Sequence, residues 1–169
     1  MGTLFSNWLQ QRFKYNFRSE NQLIRMSEPG IYFLEGSDRK LLKFAQIKLG
    51  YSSDKRPDFI GKVVSRNKEQ FFIIGEAKFL TDYGGHQDRQ LDDALYLLTK
   101  VTFNPKIDEV KVIPVAVLDG VVWIEGSKES GMIKKVKNLP DDKVALSALL
   151  LEDFLNCLLE TGDFTRCIK

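Results

Sequence analysis

Two acidic residues and a lysine are spaced in a way that suits metal-assisted hydrolysis. Asp58 follows a proline, and Glu76 and Lys78 come later in the chain on either side of one alanine. Alternate residues of a strand project from the same face, so Glu76 and Lys78 should share one face if this triplet is extended, with Ala77 on the other. Carboxylates are ligands for Mg²⁺, and a nearby ammonium group can orient or activate water. The pattern therefore predicts a metal site at Asp58, Glu76 and Lys78.

A predicted hairpin would bring these residues together. The apolar run 71–74 leads into Glu76 and indicates a buried strand. A second strand is predicted over 58–64, and a turn over 65–69. Folding this hairpin would place Asp58, at the start of one strand, beside Glu76, near the end of the next.

These residues resemble the motif of the PD-(D/E)XK nucleases, the superfamily of many restriction endonucleases. Pro57-Asp58 matches the PD half, and Glu76-Ala77-Lys78 matches the (D/E)XK half. The continuation Gly84-Gly85-His86-Gln87 is similar to several type II restriction enzymes, including type IIS cleavage domains. The resemblance covers residues 54–98. It implies a restriction-endonuclease-like α/β fold, in which a mixed central β-sheet is flanked by α-helices.

The resemblance also implies an activity, the Mg²⁺-dependent hydrolysis of phosphodiester bonds in double-stranded DNA. Asp58 and Glu76 would hold the metal, and the Ala77 carbonyl would be a further ligand. Lys78 would orient or help to deprotonate the attacking water and stabilise the charge of the transition state. Some relatives add an acidic ligand from an early helix. The number of metal ions is left open, and the candidates for that added ligand are Glu20, Glu28 and Glu35.

Residues on both sides of the motif are candidates to support the site or to bind DNA. Lys55 and Arg56 directly precede the predicted metal ligand, where a phosphate would lie, although loop solubility explains them equally well. Gln87 and Gln90 extend the apolar stripe of a helix predicted over 86–99, and their amides need hydrogen-bond partners, either at the site or within the fold. His86, the only histidine, is expected to contact DNA or cap this helix rather than catalyse.

The remaining patterns predict helices and strands around this centre, in keeping with an α/β sandwich. Helices are expected over 7–25, 40–49 and 143–160, and strands over 31–34, 110–118 and 121–124. Pro114 indicates an edge, a bulge or a break in its strand. Asp119-Gly120 is typical of a hairpin turn. A lysine-rich loop is expected over 125–138, with solvation as its default role and DNA contact as the alternative.

Composition limits the classes of protein to consider. The chain has 169 residues, of which 43% are hydrophobic, so we expect one globular nuclease domain over 1–169. Two cysteines, Cys157 and Cys167, are too few for a disulfide framework or a zinc site, and they favour a reduced, cytoplasmic setting. The sequence contains no run of eighteen apolar residues, so no membrane span is predicted.

The net charge of +2 does not suit a protein that coats DNA, so DNA affinity must come from a local patch or from a partner. The last predicted helix also has more apolar residues than one stripe needs, including Leu149 and Leu150, which suggests a subunit contact. Enzymes that the chain resembles either pair identical subunits or place a small cleavage subunit beside a large subunit that recognises the sequence and cuts one strand. The low charge and the apolar helix favour the second arrangement, so we expect a small catalytic subunit of a heterodimeric type IIS enzyme. The alternatives are a self-sufficient homodimer, a repair or junction-resolving nuclease, and a catalytically silent subunit for DNA binding or assembly.

Overall fold

A computed structural model describes residues 2–13, 17–82, 85–124 and 131–168. Within these residues, a six-stranded sheet is covered by helices. The strands are β1 (Phe17–Arg18), β2 (Gly30–Leu34), β3 (Phe59–Val64), β4 (Gln70–Leu80), β5 (Val110–Gly120) and β6 (Val144–Leu146). The helices are α1 (Gly2–Phe13), α2 (Glu20–Arg25), α3 (Asp38–Leu49), α4 (Gly85–Thr99), α5 (Gly131–Lys137), α6 (Ala148–Thr161) and α7 (Phe164–Cys167).

The sheet is mixed, and its strands lie in the same order as in the chain. β2, β3 and β4 are antiparallel neighbours, whereas β4, β5 and β6 run parallel, as do β1 and β2. The longest ladder joins β4 to β5, from Gln70 opposite Val110 to Leu80 opposite Gly120. This architecture confirms the predicted α/β fold with a mixed central sheet.

Both faces of the central strands are buried, which explains the continuous apolar run in β4. Phe71, Ile73 and Ala77 pack on the side of α1 and α6. Phe72 and Ile74 lie on the other face, against α3 and α4. Because side chains alternate along a strand, this arrangement assigns every residue of β4 to one of two helical layers.

Four predicted elements are confirmed. The hairpin of β3 and β4 forms with Ile60 opposite Ile74, and β2 and α4 occupy the expected places. α3 ends at Gly50, which takes the left-handed conformation (φ 61°) that glycine adopts readily.

The prediction of one helix over 7–25 is wrong. The structure has α1, then the short strand β1, then α2. β1 pairs in parallel with β2, Phe17 opposite Phe33, and the two rings stack with centroids 5.7 Å apart. The strand pairing and the ring contact hold Phe17 in the sheet, so tertiary contact overrides the helical periodicity.

The predicted hairpin at Asp119-Gly120 is also wrong. β5 continues to Gly120, and residues 121–123 form a 3₁₀ turn rather than a strand. Gly120 has a φ of 91°, and its Cα lies against the Leu80 carbonyl, where a side chain would collide. Asp119 instead accepts a hydrogen bond from the Ala148 amide (3.1 Å). The turn-forming pair therefore ends a parallel strand and caps a distant helix.

Two C-terminal predictions need correction. The stretch expected as one helix over 143–160 contains β6 and then α6, because β6 covers Val115–Val117 of β5. Because β6 pairs only with residues 115–117, Pro114 lies beside an open edge of the sheet. Of the three predicted settings, an edge, a bulge or a break, the structure supports the edge. The loop expected over 125–138 contains α5, and its residues 125–130 lie outside the described part of the chain.

The two cysteines do not fit the expected reduced state. α6 ends at Gly162 in the left-handed conformation, the chain turns into α7, and Cys167 forms a disulfide with Cys157. No helix within the described residues has the length and apolar character needed to cross a membrane.

Candidate active site

Asp58 stands at the edge of the β3–β4 hairpin, where the ladder ends. Its amide donates a hydrogen bond to the Gly75 carbonyl (2.8 Å), and its Oδ2 accepts one from the Ala77 amide (2.8 Å). These two bonds fix both the backbone and the carboxylate of Asp58 against β4. Glu76, the predicted neighbour of Asp58 across the hairpin, lies between Gly75 and Ala77. The two hydrogen bonds therefore hold Asp58 beside it.

Glu76 and Lys78 share the face of β4 that carries Phe72 and Ile74, as the alternation predicts. The Lys78 ammonium lies 3.0 Å from Glu76 Oε2 and 4.0 Å from Asp58 Oδ2. Glu76 is only 2% exposed, and its Oε1 accepts no hydrogen bond. The structure therefore brings Asp58, Glu76 and Lys78 together, and one buried oxygen of Glu76 accepts no hydrogen bond.

The backbone of Ala77 faces Asp58. Its amide donates to Asp58, and the N–H and C=O of one strand residue point toward the same neighbouring strand. The Ala77 carbonyl is therefore directed toward the same edge as the carboxylates.

Lys55 also belongs to this cluster. Its ammonium lies 3.6 Å from Glu76 Oε1, donates a hydrogen bond to the Asp93 carbonyl (2.7 Å), and lies 3.5 Å from Asp93 Oδ1. Tyr51 holds the backbone of this loop by donating a hydrogen bond to the Lys55 carbonyl (2.9 Å). The loop before Asp58 is thus joined to both β4 and α4.

Burial and charge act in opposite directions on the central pair. Burial raises the pKa of the Glu76 carboxyl, while Lys78 and Lys55 oppose this rise without cancelling it. Burial lowers the pKa of the Lys78 ammonium, but Glu76, Asp58 and Asp93 together raise it by more, so its net shift is upward. Burial therefore favours the neutral form of Glu76 while the two lysines favour its charged form, and the carboxylates around Lys78 favour its protonated form.

The predicted supporting residues have contacts of their own. Gln87 donates from Nε2 to Thr81 Oγ1 (3.3 Å), and its buried Oε1 accepts no hydrogen bond. Gln90 Nε2 lies 3.0 Å from His86 Nε2 on the exposed side of α4. Arg56 is exposed next to the site. Their expected roles in supporting catalysis or binding DNA stay predictions.

The three candidates for an added acidic ligand occupy different places. Glu28 lies 3.8 Å from Lys68, at the turn of the hairpin and hence at the opposite end of β3 from Asp58. Glu20 begins α2 and Glu35 follows β2. Among the described residues, no group of three or more His, Cys, Asp or Glu side chains is close enough to hold a metal ion. No third carboxylate is therefore assigned.

Sequence reasoning missed Asp93. Asp93 lies three residues after Gln90 and four before the buried Leu97. Helical spacing therefore places it beside the stripe of α4 that contains Gln87 and Gln90. Continuing that stripe by one step would have identified it.

Comparison with known proteins matches the chain to one family. A family model described as Tsp45I type II restriction enzyme matches residues 1–158. No curated protein matches the chain, and neither does any solved structure. The family match confirms the expected likeness to type II restriction enzymes, and the mixed sheet is consistent with their fold. Since the match extends over most of the chain, the protein belongs to the Tsp45I type II restriction enzyme family and is a site-specific DNA endonuclease.

Proposed function

We propose that the protein cleaves DNA by the Mg²⁺-dependent chemistry of PD-(D/E)XK nucleases, with Asp58, Glu76 and Lys78 as its catalytic residues. The observation that carries this proposal is the convergence of the three side chains at one end of the hairpin, with the Lys78 ammonium 3.0 Å from Glu76 and 4.0 Å from Asp58.

The donor atoms of the site suit Mg²⁺. Mg²⁺ prefers oxygen ligands and is often held by one or two carboxylates, together with water and phosphate. Glu76 Oε1 is buried without a hydrogen bond, the Asp58 carboxylate lies beside it, and the Ala77 carbonyl faces the same edge. These three groups would hold the ion. When bound, it would supply Lewis-acid polarisation of the phosphate and of water.

Lys78 would act as a cation rather than as a base. Its pKa is shifted upward, so the ammonium is protonated at neutral pH. It can donate hydrogen bonds to water and to a phosphate oxygen, and so orient the nucleophile and stabilise the charge that develops on the phosphoryl group. Lys78 could orient the attacking water or help to deprotonate it. This environment supports orientation, together with stabilisation of the developing charge.

Cleavage of a plasmid tests the site. With Mg²⁺ or Mn²⁺ the wild-type enzyme should cut, whereas Ca²⁺, with its longer and looser coordination, should not support cutting. Lys78→Met should lower the single-turnover rate by about 100-fold or more, the usual effect of removing one charge-stabilising donor. Lys43→Met, which removes an exposed lysine of α3, is the matched control. Normal cleavage by folded Lys78→Met protein would refute the assignment.

We also assign the chain the role of a small catalytic subunit in a heterodimeric type IIS enzyme. Its net charge of +2 offers little long-range attraction to DNA. Leu149 and Leu150 at the start of α6 are 76% and 53% exposed, and large apolar side chains at the surface favour contact with a partner. A larger subunit would read the DNA sequence and cut the other strand.

Reconstitution separates the possible assemblies. The chain alone should cut plasmid DNA poorly and without preference, and the complex recovered from its native host should cut both strands at a fixed distance from a short site. Lys78→Met in that complex should convert double-strand cutting into nicking. Efficient, sequence-specific double-strand cleavage by the chain alone would instead support a homodimer. Preference for branched DNA would support the junction-resolving alternative.

A further inference from the structure

Lys55 places a second ammonium group at the carboxylate that would hold the metal. Its Nζ is 3.6 Å from Glu76 Oε1, the oxygen that accepts no hydrogen bond. The other oxygen, Oε2, already faces Lys78 at 3.0 Å. Both oxygens of Glu76 therefore face a lysine, and a cation that binds at Oε1 must meet the charge of Lys55.

Asp93 offers Lys55 an alternative partner. The ammonium already donates to the Asp93 carbonyl (2.7 Å) and lies 3.5 Å from its carboxylate. Asp93 is 63% exposed, whereas Glu76 is 2% exposed. A small movement of the lysine side chain toward Asp93 would relieve repulsion at Glu76 without leaving the ammonium unpaired.

We propose that Lys55 is a positioning residue that neutralises Glu76 in the metal-free enzyme and competes with the metal ion for it, and that Asp93 holds the lysine when the metal binds. The inference rests on the proposed function, because it takes Glu76 as a metal ligand. Lys55 is thereby given a role at the metal site rather than only at a DNA phosphate.

The affinity for Mn²⁺ without DNA measures this competition directly, by the loss of the electron paramagnetic resonance signal of free Mn²⁺. Lys55→Met should bind Mn²⁺ about tenfold more tightly than wild type, since one like charge within a few ångströms shifts a charge equilibrium by a factor of ten or more. Asp93→Asn should bind more weakly than wild type. In the double variant the effect of Asp93→Asn should be mostly lost, because no lysine remains to be held.

The melting temperature gives a second readout. Without metal, Lys55→Met should melt at a lower temperature than wild type, because Glu76 loses one of its two cations. Saturating Mn²⁺ should remove this difference, since ligand binding stabilises the folded state by mass action. Lys135→Met is a matched control, because Lys135 of α5 also pairs with carboxylates of α4, those of Asp88 and Asp92. This variant should leave the Mn²⁺ affinity unchanged.

The Glu76→Gln variant separates failure of this inference from failure of the proposed function. If Glu76→Gln abolishes Mn²⁺ binding but Lys55→Met binds no more tightly than wild type, the competition is refuted and the metal site stands. If Glu76→Gln binds Mn²⁺ as wild type does, the metal assignment itself is refuted, and the inference with it. If Lys55→Met is too unstable to measure, Asp93→Asn still decides, because wild-type affinity in that variant would overturn the role of Asp93 in holding Lys55.

Discussion

Replacing Lys62 with methionine should stabilise the protein at neutral pH. Lys62 lies in the middle of β3 and is fully buried. Its ammonium donates one hydrogen bond, to the Ile24 carbonyl at the end of α2 (2.8 Å), and lies 5.6 Å from the centre of the Phe72 ring. Burial lowers the pKa of Lys62 from 10.5 to about 8, so the folded protein holds this charge at a cost.

The size of the effect follows from the pKa. A shift from 10.5 to about 8 corresponds to about 3 kcal/mol of folding free energy at pH 7, at about 1.4 kcal/mol per pKa unit. Methionine removes this cost but also the hydrogen bond to Ile24, worth about 1 kcal/mol. We therefore expect Lys62→Met to raise the free energy of unfolding by about 2 kcal/mol at pH 7, or the melting temperature by about 5 °C.

The sign of this effect should reverse at high pH. Between pH 8 and 10.5 the unfolded chain binds a proton that the folded protein has released, so wild-type stability rises with pH relative to the variant. Above pH 10.5 the amine is neutral in both states, and the variant should be less stable by the lost hydrogen bond, about 1 kcal/mol.

Urea unfolding from pH 7 to pH 11 measures the difference between the two proteins. Lys43→Met, which replaces an exposed lysine, should show no such pH dependence. A Lys62→Met protein that is less stable than wild type at pH 7, or a difference that does not change with pH, would refute the reasoning.

Three further substitutions test the elements around the site. Gly120→Ala should destabilise the protein by more than about 1 kcal/mol in urea unfolding, because Gly120 has a positive φ and its new methyl group would meet the Leu80 carbonyl; an unchanged midpoint would contradict this. Asp119→Ala should cost about 1 kcal/mol through loss of the cap on α6, and Asp119→Asn, which keeps an acceptor, should recover most of it. Gln87→Ala should slow cleavage about tenfold, the equivalent of one hydrogen bond. The melting temperature should change little, because the buried Oε1 has no hydrogen bond to lose and the bond from Nε2 to Thr81 is long (3.3 Å) and exposed; a lower melting temperature with normal cleavage would favour a structural role.

The centre of the site was predictable because its determinants are local. The apolar run of β4, the turn before it and the strand that begins directly after Asp58 lie within one hairpin, and pairing of those strands alone brings Asp58 beside Glu76. Side-chain alternation then assigns Lys78 to the same face. The α/β fold was predictable for a similar reason, since the central strands are mostly apolar on both faces.

Distant contacts explain what was not predictable. β6 has only three residues, too few to show a strand period next to a helical stretch, and it forms because β5 has an open edge. Asp119-Gly120 has the composition of a turn, but its carboxylate caps a helix far along the chain. Lys55 meets Glu76 only because its loop passes between β4 and α4. No periodicity within one segment carries that information.

The register of the hairpin has a consequence for misfolded molecules. A shift of β4 by one residue would exchange its two faces, so Glu76 and Lys78 would turn toward the apolar layer of α1 and α6 that now covers Ala77. Burying those charges among apolar side chains costs several kcal/mol, and Ala77 would replace them at the edge. A misregistered chain is thus unstable and lacks the proposed catalytic cluster. The pairing that buries the apolar face of β4 is therefore the same pairing that assembles Asp58, Glu76 and Lys78.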